Sequence, residues 1–130
     1  MKTRLEQAEV APTLSVGEVA RRAGVSVSAL HFYEARGLIS SDRTQGNQRR
    51  FARDVLRRVA FIRVAQRVGI ALADIAAALA TLPASAAPTR ADWARLSAAW
   101  RADLDERMAQ LKKLRDTLDD CIGCGCLSID

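Results

Sequence analysis

Cysteine, histidine, proline and aromatic residues are all scarce in this chain. Its 130 residues include 3 Cys, 1 His and 3 Pro, and Phe, Trp and Tyr together make up 5 %. With one histidine, no Ser/His/Asp set, no P-loop and no dinucleotide-binding glycine pattern, the sequence offers no catalytic constellation, and an enzyme is not expected. Nor is there an apolar run of about 18 residues, so no membrane-spanning helix is expected. The N-terminal stretch "MKTRLEQAEVAPT" carries charge but no apolar core, which does not fit a secretory signal. The expectation is a soluble, intracellular protein. Its few aromatics, set against many alanines and arginines, favour helix over strand.

What is present is unevenly distributed. The formal net charge is +5, yet Ser15 to Ile70 holds 11 Arg against 4 Asp+Glu, while Ala71 to Asp130 holds 7 Lys+Arg against 9 Asp+Glu. A basic half points to a polyanionic partner and a mildly acidic half to a different task. A solvated arginine-rich surface is the alternative. All three cysteines, Cys121, Cys124 and Cys126, crowd into the last ten residues with Gly123 and Gly125 between them. In an intracellular chain such a cluster suggests metal binding or redox chemistry before a structural disulfide.

Local signals divide the chain. Residues 1–13 read as a flexible tail. In "SVGEVARRAGVS", Ser15 with Glu18 three positions on forms a capping box, and Gly24 ends a short helix at a tight turn. "SVSALHFYEARGLI" begins a second helix at Ser26 that stops near Gly37, which makes a helix-turn-helix. In "LISSDRTQGNQRRF" a turn at Gly46 and Asn47 separates two extended pieces, a hairpin or wing carrying Arg43, Arg49 and Arg50. "ARDVLRRVAFIRVAQRV", residues 52–68, has helical periodicity up to Gly69, and "ALADIAAALATL" is a fourth helix ended by Pro83. Residues 14–82 therefore form a winged helix-turn-helix with intermediate helices.

Beyond the linker, "PASAAPT", residues 90–120 lack proline and glycine. Their apolar residues Trp93, Leu96, Trp100, Leu104, Met108, Leu111, Leu114 and Leu118 recur every three or four positions. This coiled-coil pattern spans roughly 45 Å at 1.5 Å per residue, too long to bury against one small domain. The expectation is pairing with a second copy; a helix folded back on its own domain is the alternative. Residues 83–120 are thus linker and dimerisation helix, and 121–130 a cysteine loop. The fold class is mainly α.

In a helix-turn-helix the second helix enters the major groove with its N-terminal residues at base edges. Ser26, Ser28, His31 and Tyr33 are the DNA-facing candidates. Ser26 also suits a plain helix cap, Tyr33 can donate to a phosphate, and His31 is a groove or packing residue. Arg43, Arg49 and Arg50 on the wing are placed to hold phosphates.

These stretches, "SVGEVARRAGVSVSALHFYEARGLI" followed by "RTQGNQRRF", resemble the MerR family of bacterial transcription regulators, and "CIGCGCLS" resembles its redox-sensing SoxR-like branch. The resemblance covers the chain from about residue 13 to its end. It implies an antiparallel coiled-coil homodimer on promoter DNA in the bacterial cytoplasm, associated with the nucleoid when bound. It also implies activation by bending and untwisting a promoter so that RNA polymerase engages both of its elements. Trp93 and Trp100, with Leu104, Leu111 and Leu118, would then form the dimer seam and signal path. The tryptophans and Arg57 or Arg58 would lie near the partner's cysteines, with ordinary coiled-coil core the alternative for both tryptophans.

Three readings compete for the cysteines: incidental thiols, a zinc or other soft-metal site, and the [2Fe–2S] cluster that the resemblance implies, which takes four thiolates. Gly123 and Gly125 let the backbone curl and aim N–H groups at sulfur, which suits a bulky anionic cluster. The branch pattern C-x2-C-x-C-x5-C places a fourth cysteine at position 132, past Asp130. Either the sequence is cut two residues short of that ligand, which would leave the cluster poorly held or absent, or the site has only three cysteines, which returns weight to a metal-ion sensor.

Overall fold

A computed structural model describes residues 13–84 and 86–124. Strand β1 (Thr13–Ser15) leads into helices α1 (Val16–Ala23) and α2 (Val27–Ala35). A hairpin of β2 (Asp42–Arg43) and β3 (Arg49–Ala52) follows, then α3 (Val55–Arg67), α4 (Leu72–Leu79) and the long α5 (Arg90–Cys124).

The expected local signals form their contacts. Ser15 Oγ accepts from the Glu18 amide at 3.2 Å, and Glu18 Oε1 accepts from the Ser15 amide at 3.3 Å. Both orphan donors of the first turn are thereby satisfied. Gly24 closes α1 in the left-handed region at φ 69, its amide donating to the Ala20 carbonyl at 2.9 Å. Arg63 of α3 reaches across and donates to the Ala23 carbonyl at 2.9 Å, so a cation also sits at the negative end of α1. Ser26 caps α2 by accepting from the Ala29 amide at 3.0 Å. Gly37, at φ 77, then turns the chain so that Leu38 and Ile39 enter the core.

The sheet departs from the sequence reading. Thr13, expected in the tail, begins a strand, and the order is β1-β3-β2, all antiparallel. Leu14 faces Phe51 across β1 and β3, and both side chains are buried. The wing turn is as expected, with Asn47 at φ 61 and its amide donating to the Thr44 carbonyl at 2.9 Å.

One core joins these elements. Val19, Leu30, Leu38, Phe51, Val59, Ile62 and Ile75 are fully buried, one or two from each of α1 to α4, with Phe51 from the sheet and Leu38 from the turn after α2. On α3 the buried positions Val55, Val59, Ile62 and Ala65 recur at helical spacing, which fixes the face turned inward. Among the described residues, no buried side-chain nitrogen or oxygen lacks a partner.

Helix α5 begins with a reciprocal cap between Thr89 and Asp92 and runs through Cys124, past the expected end at Asp120. At 1.5 Å per residue its 35 residues span about 52 Å. Leu96 is buried, and Trp93 and Trp100 lean on Phe61 with ring centroids 6.3 and 4.7 Å away. The start of the helix thus packs back on its own domain, while every residue from Arg101 to Asp120 is exposed. No described helix is long and apolar enough to cross a membrane.

Candidate nucleic-acid interface and cysteine site

The outer face of α2 is defined by what its inner face buries. Leu30 and Tyr33 point into the core, leaving Val27, Ser28, His31, Phe32, Ala35 and Arg36 exposed in pairs four residues apart. Ser28 and His31 are therefore exposed on this outer face. Ser26 is exposed, and its hydroxyl is engaged as the cap. Phe32 and Arg36 share the face and pair, the guanidinium carbon 5.0 Å from the ring centroid. The sequence reading passed over both; continuing the four-residue spacing from Ser28 would have found them.

Tyr33 corrects an expectation. Placed beforehand at a phosphate, it is 7 % exposed and its hydroxyl donates to Gln66 Oε1 at 3.2 Å. Its ring belongs to the buried core and its hydroxyl ties α2 to α3, so its first role is packing.

The wing arginines have partners within the protein. Arg49 Nε donates to Glu34 Oε1 at 2.6 Å. Arg50 donates through Nε and Nη2 to the side chain and carbonyl of Thr13, both at 3.0 Å. Arg43 Nη1 donates to the Asn47 carbonyl at 3.1 Å. A guanidinium carries five donors, so each arginine is held in place with donors left for an anion. Orientation by the fold and contact with phosphate are compatible.

The other end of the molecule presents an apolar stripe. Leu104, Met108, Leu111, Leu114, Leu118 and Ile122 are exposed by 37–72 %. Trp93, Trp100, Arg107, Leu114 and Cys121 fall seven positions apart, and Leu104, Leu111 and Leu118 form a second such series. These are the two seam positions of a heptad, interrupted at Arg107 in the first series and starting from Ser97 in the second. Cys121 ends the series that Trp93 starts. Beside the helix start, Phe61 and Val64 of α3, Val68 just after it, and Trp93, Trp100 and Met108 of α5 line an open groove of ≈ 730 Å³. Arg57 stands over Trp93, 5.9 Å from the ring centroid.

Cys121, half-buried, and Cys124 both belong to α5. The first part of the expected cysteine loop, Gly123 included, is therefore helical. Gly125 and Cys126 lie outside the described residues. Among the described residues no group of three His, Cys, Asp or Glu side chains forms a metal site.

Known proteins share this arrangement. The family model for the MerR family regulatory protein matches residues 15–51, and that for MerR, DNA binding, matches residues 56–121. An HTH-type transcriptional activator SoxR homolog from Chromobacterium violaceum is 58 % identical over 118 residues, covering 91 % of this chain and 80 % of its own. The chain belongs to the MerR family. Its likeness within the family is to SoxR. A mercuric resistance operon regulatory protein from Pseudomonas fluorescens is 31 % identical over 114 residues, 87 % of this chain and 76 % of that one. Among solved structures, a MerR family transcriptional regulator from Listeria monocytogenes superposes with a TM-score of 0.57 at 28 % identity, covering 84 % of this chain and 83 % of that chain. As a MerR-family protein this chain is a DNA-binding transcriptional regulator and not an enzyme. Its helix-turn-helix is the DNA-binding element and α5 the long C-terminal helix of that fold.

Proposed function

We propose that this MerR-family regulator is a redox-sensing transcriptional activator that binds promoter DNA as a homodimer and holds a [2Fe–2S] cluster at the tip of α5. The observation that carries the reading is the place of the cysteines. Cys121 ends a heptad series on an otherwise bare helix, and Cys124 follows three positions on. Positions three apart on a helix are neighbours along its backbone, and Cys126 follows close behind in sequence. Thiolates are the donors of iron–sulfur clusters and of soft metal ions alike. The high identity to a SoxR homolog favours the cluster. A bound cluster supplies a one-electron change of charge.

The chain's own residues do the rest. The exposed face of α2 lies in the major groove, with Ser28 and His31 at base edges and Ser26 near the backbone. Arg43, Arg49 and Arg50 neutralise phosphates, which makes affinity fall steeply with salt. The stripe from Leu104 to Leu118 pairs with the same stripe of a second copy, antiparallel, and so brings each cysteine tip towards the other protomer's Trp93, Trp100 and Arg57. The dimer then untwists its promoter so that RNA polymerase engages both elements.

The second reading, a metal-ion sensor of the same architecture, is favoured by the likeness to a mercuric resistance regulator and by the affinity of cysteine thiolates for soft metal ions. Metal and sulfide analysis with a visible spectrum of the purified full chain separates the two. Iron with matching sulfide and a brown colour is expected. Zinc, copper or another soft ion without sulfide assigns the metal sensor. Trp93→Ala tests the signal path: activation should weaken while promoter affinity holds, and loss of both together would reduce Trp93 to a packing role.

A further inference from the structure

Glu34 is out of place by charge alone. It is the only acidic residue of α2, in a basic head that binds a polyanion, and a carboxylate there repels phosphates. The structure shows what it holds instead. Its Oε1 accepts from Arg49 Nε at 2.6 Å, and its Oε2 accepts from the hydroxyl of Ser41. Arg49 is the first residue of β3, and Ser41 immediately precedes β2. One carboxylate, on the last turn of the groove helix, therefore grips the roots of both wing strands. The rest of the wing, from Asp42 to Gln48, is exposed.

We propose that Glu34 is a positioning residue for DNA recognition, a brace that sets the angle of the wing to the groove helix so that Arg43, Arg49 and Arg50 meet phosphates in register with the bases under α2. This deepens the DNA-binding reading and rests on it. Electrostatics alone and the brace predict opposite signs. If the charge of Glu34 only repels DNA, its neutralisation tightens every duplex. If Glu34 is the brace, its neutralisation releases the wing and costs affinity where register matters.

The test uses full-length Glu34→Gln, Arg49→Gln, the double variant and Ser41→Ala. The DNA probes are a duplex that the wild-type protein selects from a random pool and a scrambled duplex of the same composition. Glu34→Gln should lower affinity for the selected duplex about tenfold, on the order of one charge-assisted hydrogen bond, and leave the scrambled duplex unchanged or bound slightly tighter. The double variant should be no weaker than the worse single, because both act through one pair. Ser41→Ala, which keeps the charge and half the brace, should move the same way by less. A hydroxyl-radical footprint of Glu34→Gln should lose wing-side protection and keep the groove side. Tighter binding to both duplexes would overturn the proposal in favour of plain repulsion. Equal loss on both duplexes, in step with a lowered melting temperature, would overturn it in favour of a folding role. A wild-type protein that selects no duplex would defeat the DNA-binding reading itself, a separate result.

Discussion

Phe51 in the head and Leu111 in the rod are both large apolar side chains, yet the first is fully buried and the second is 59 % exposed. The contrast extends to their surroundings. Around Phe51 the sheet, four helices and the start of α5 close a core with no unsatisfied buried side-chain polar atom among the described residues. Along α5 burial ends near Trp100, and the stripe that follows faces outward. An exposed apolar stripe at heptad spacing is what remains when half of a coiled coil is viewed by itself. The head is a finished fold, and in the proposed dimer the rod is finished by a second copy. Sensing at the cysteine tip would then depend on assembly, because the tip lies far from its own head along a helix of about 52 Å.

The contrast can be broken most sharply in the rod. Leu111→Asp combined with Leu118→Asp puts four charges into the seam of a dimer, at about 2–3 kcal/mol for each lost apolar contact. Sedimentation equilibrium should show the mass of one chain, and promoter affinity should fall by at least about a hundredfold. An unchanged dimer would place the interface elsewhere. In the head, Phe51→Ala should cost about 3–5 kcal/mol in urea unfolding by opening a cavity in a closed core. The loss should not vary with protein concentration, whereas that of Leu111→Ala should, because only the latter acts through assembly. Gly24→Ala comes next, at about 1–2 kcal/mol. The residue sits at φ 69, and an added Cβ would stand 3.3 Å from Arg63 Nη1. Its melting temperature should fall with the rod unaffected.

The smallest effect concerns pH. Burial works to raise the pKa of Glu34, but hydrogen bonds from Ser41 and Arg49 and the charges of Arg49 and Arg43 outweigh it and hold the carboxyl below its ordinary 4.5. The unfolded chain therefore binds the proton more readily. The stabilisation is complete above pH 4.5 and is lost as pH falls through the lowered value. The urea midpoint of Glu34→Gln should show a shallower decline below that pH than the wild type; parallel curves would remove the carboxylate from the acid response.

How much of this was legible beforehand depended on the range of the cause. The box at Ser15, the stops at Gly24 and Gly37, the turn at Asn47 and the stripe of α5 are set within a few residues and could be read directly. Strand β1 could not, because three residues carry too little pattern and their pairing partner lies far along the chain. Tyr33 was misjudged because α2 is apolar on several sides, so its sequence alone does not say which face turns inward. Gly123 was read as a place where the backbone curls around a cofactor, yet a glycine inside a helix costs only about 1 kcal/mol and α5 runs through it. The partners of Arg49 and Arg50 arise from tertiary contact, which residue spacing does not display. At the candidate site, residue types were legible, and their division of labour was not.

The central claim is that the redox state of the cysteine tip is read out at the promoter through a dimer. Its most direct test is transcription in vitro from a promoter carrying the selected DNA, with the full chain poised oxidised or reduced and DNA occupancy measured in parallel. The account predicts equal occupancy in both states and strong transcription only in the oxidised one. Equal transcription in both states, or a response only to an added soft metal ion, would contradict it.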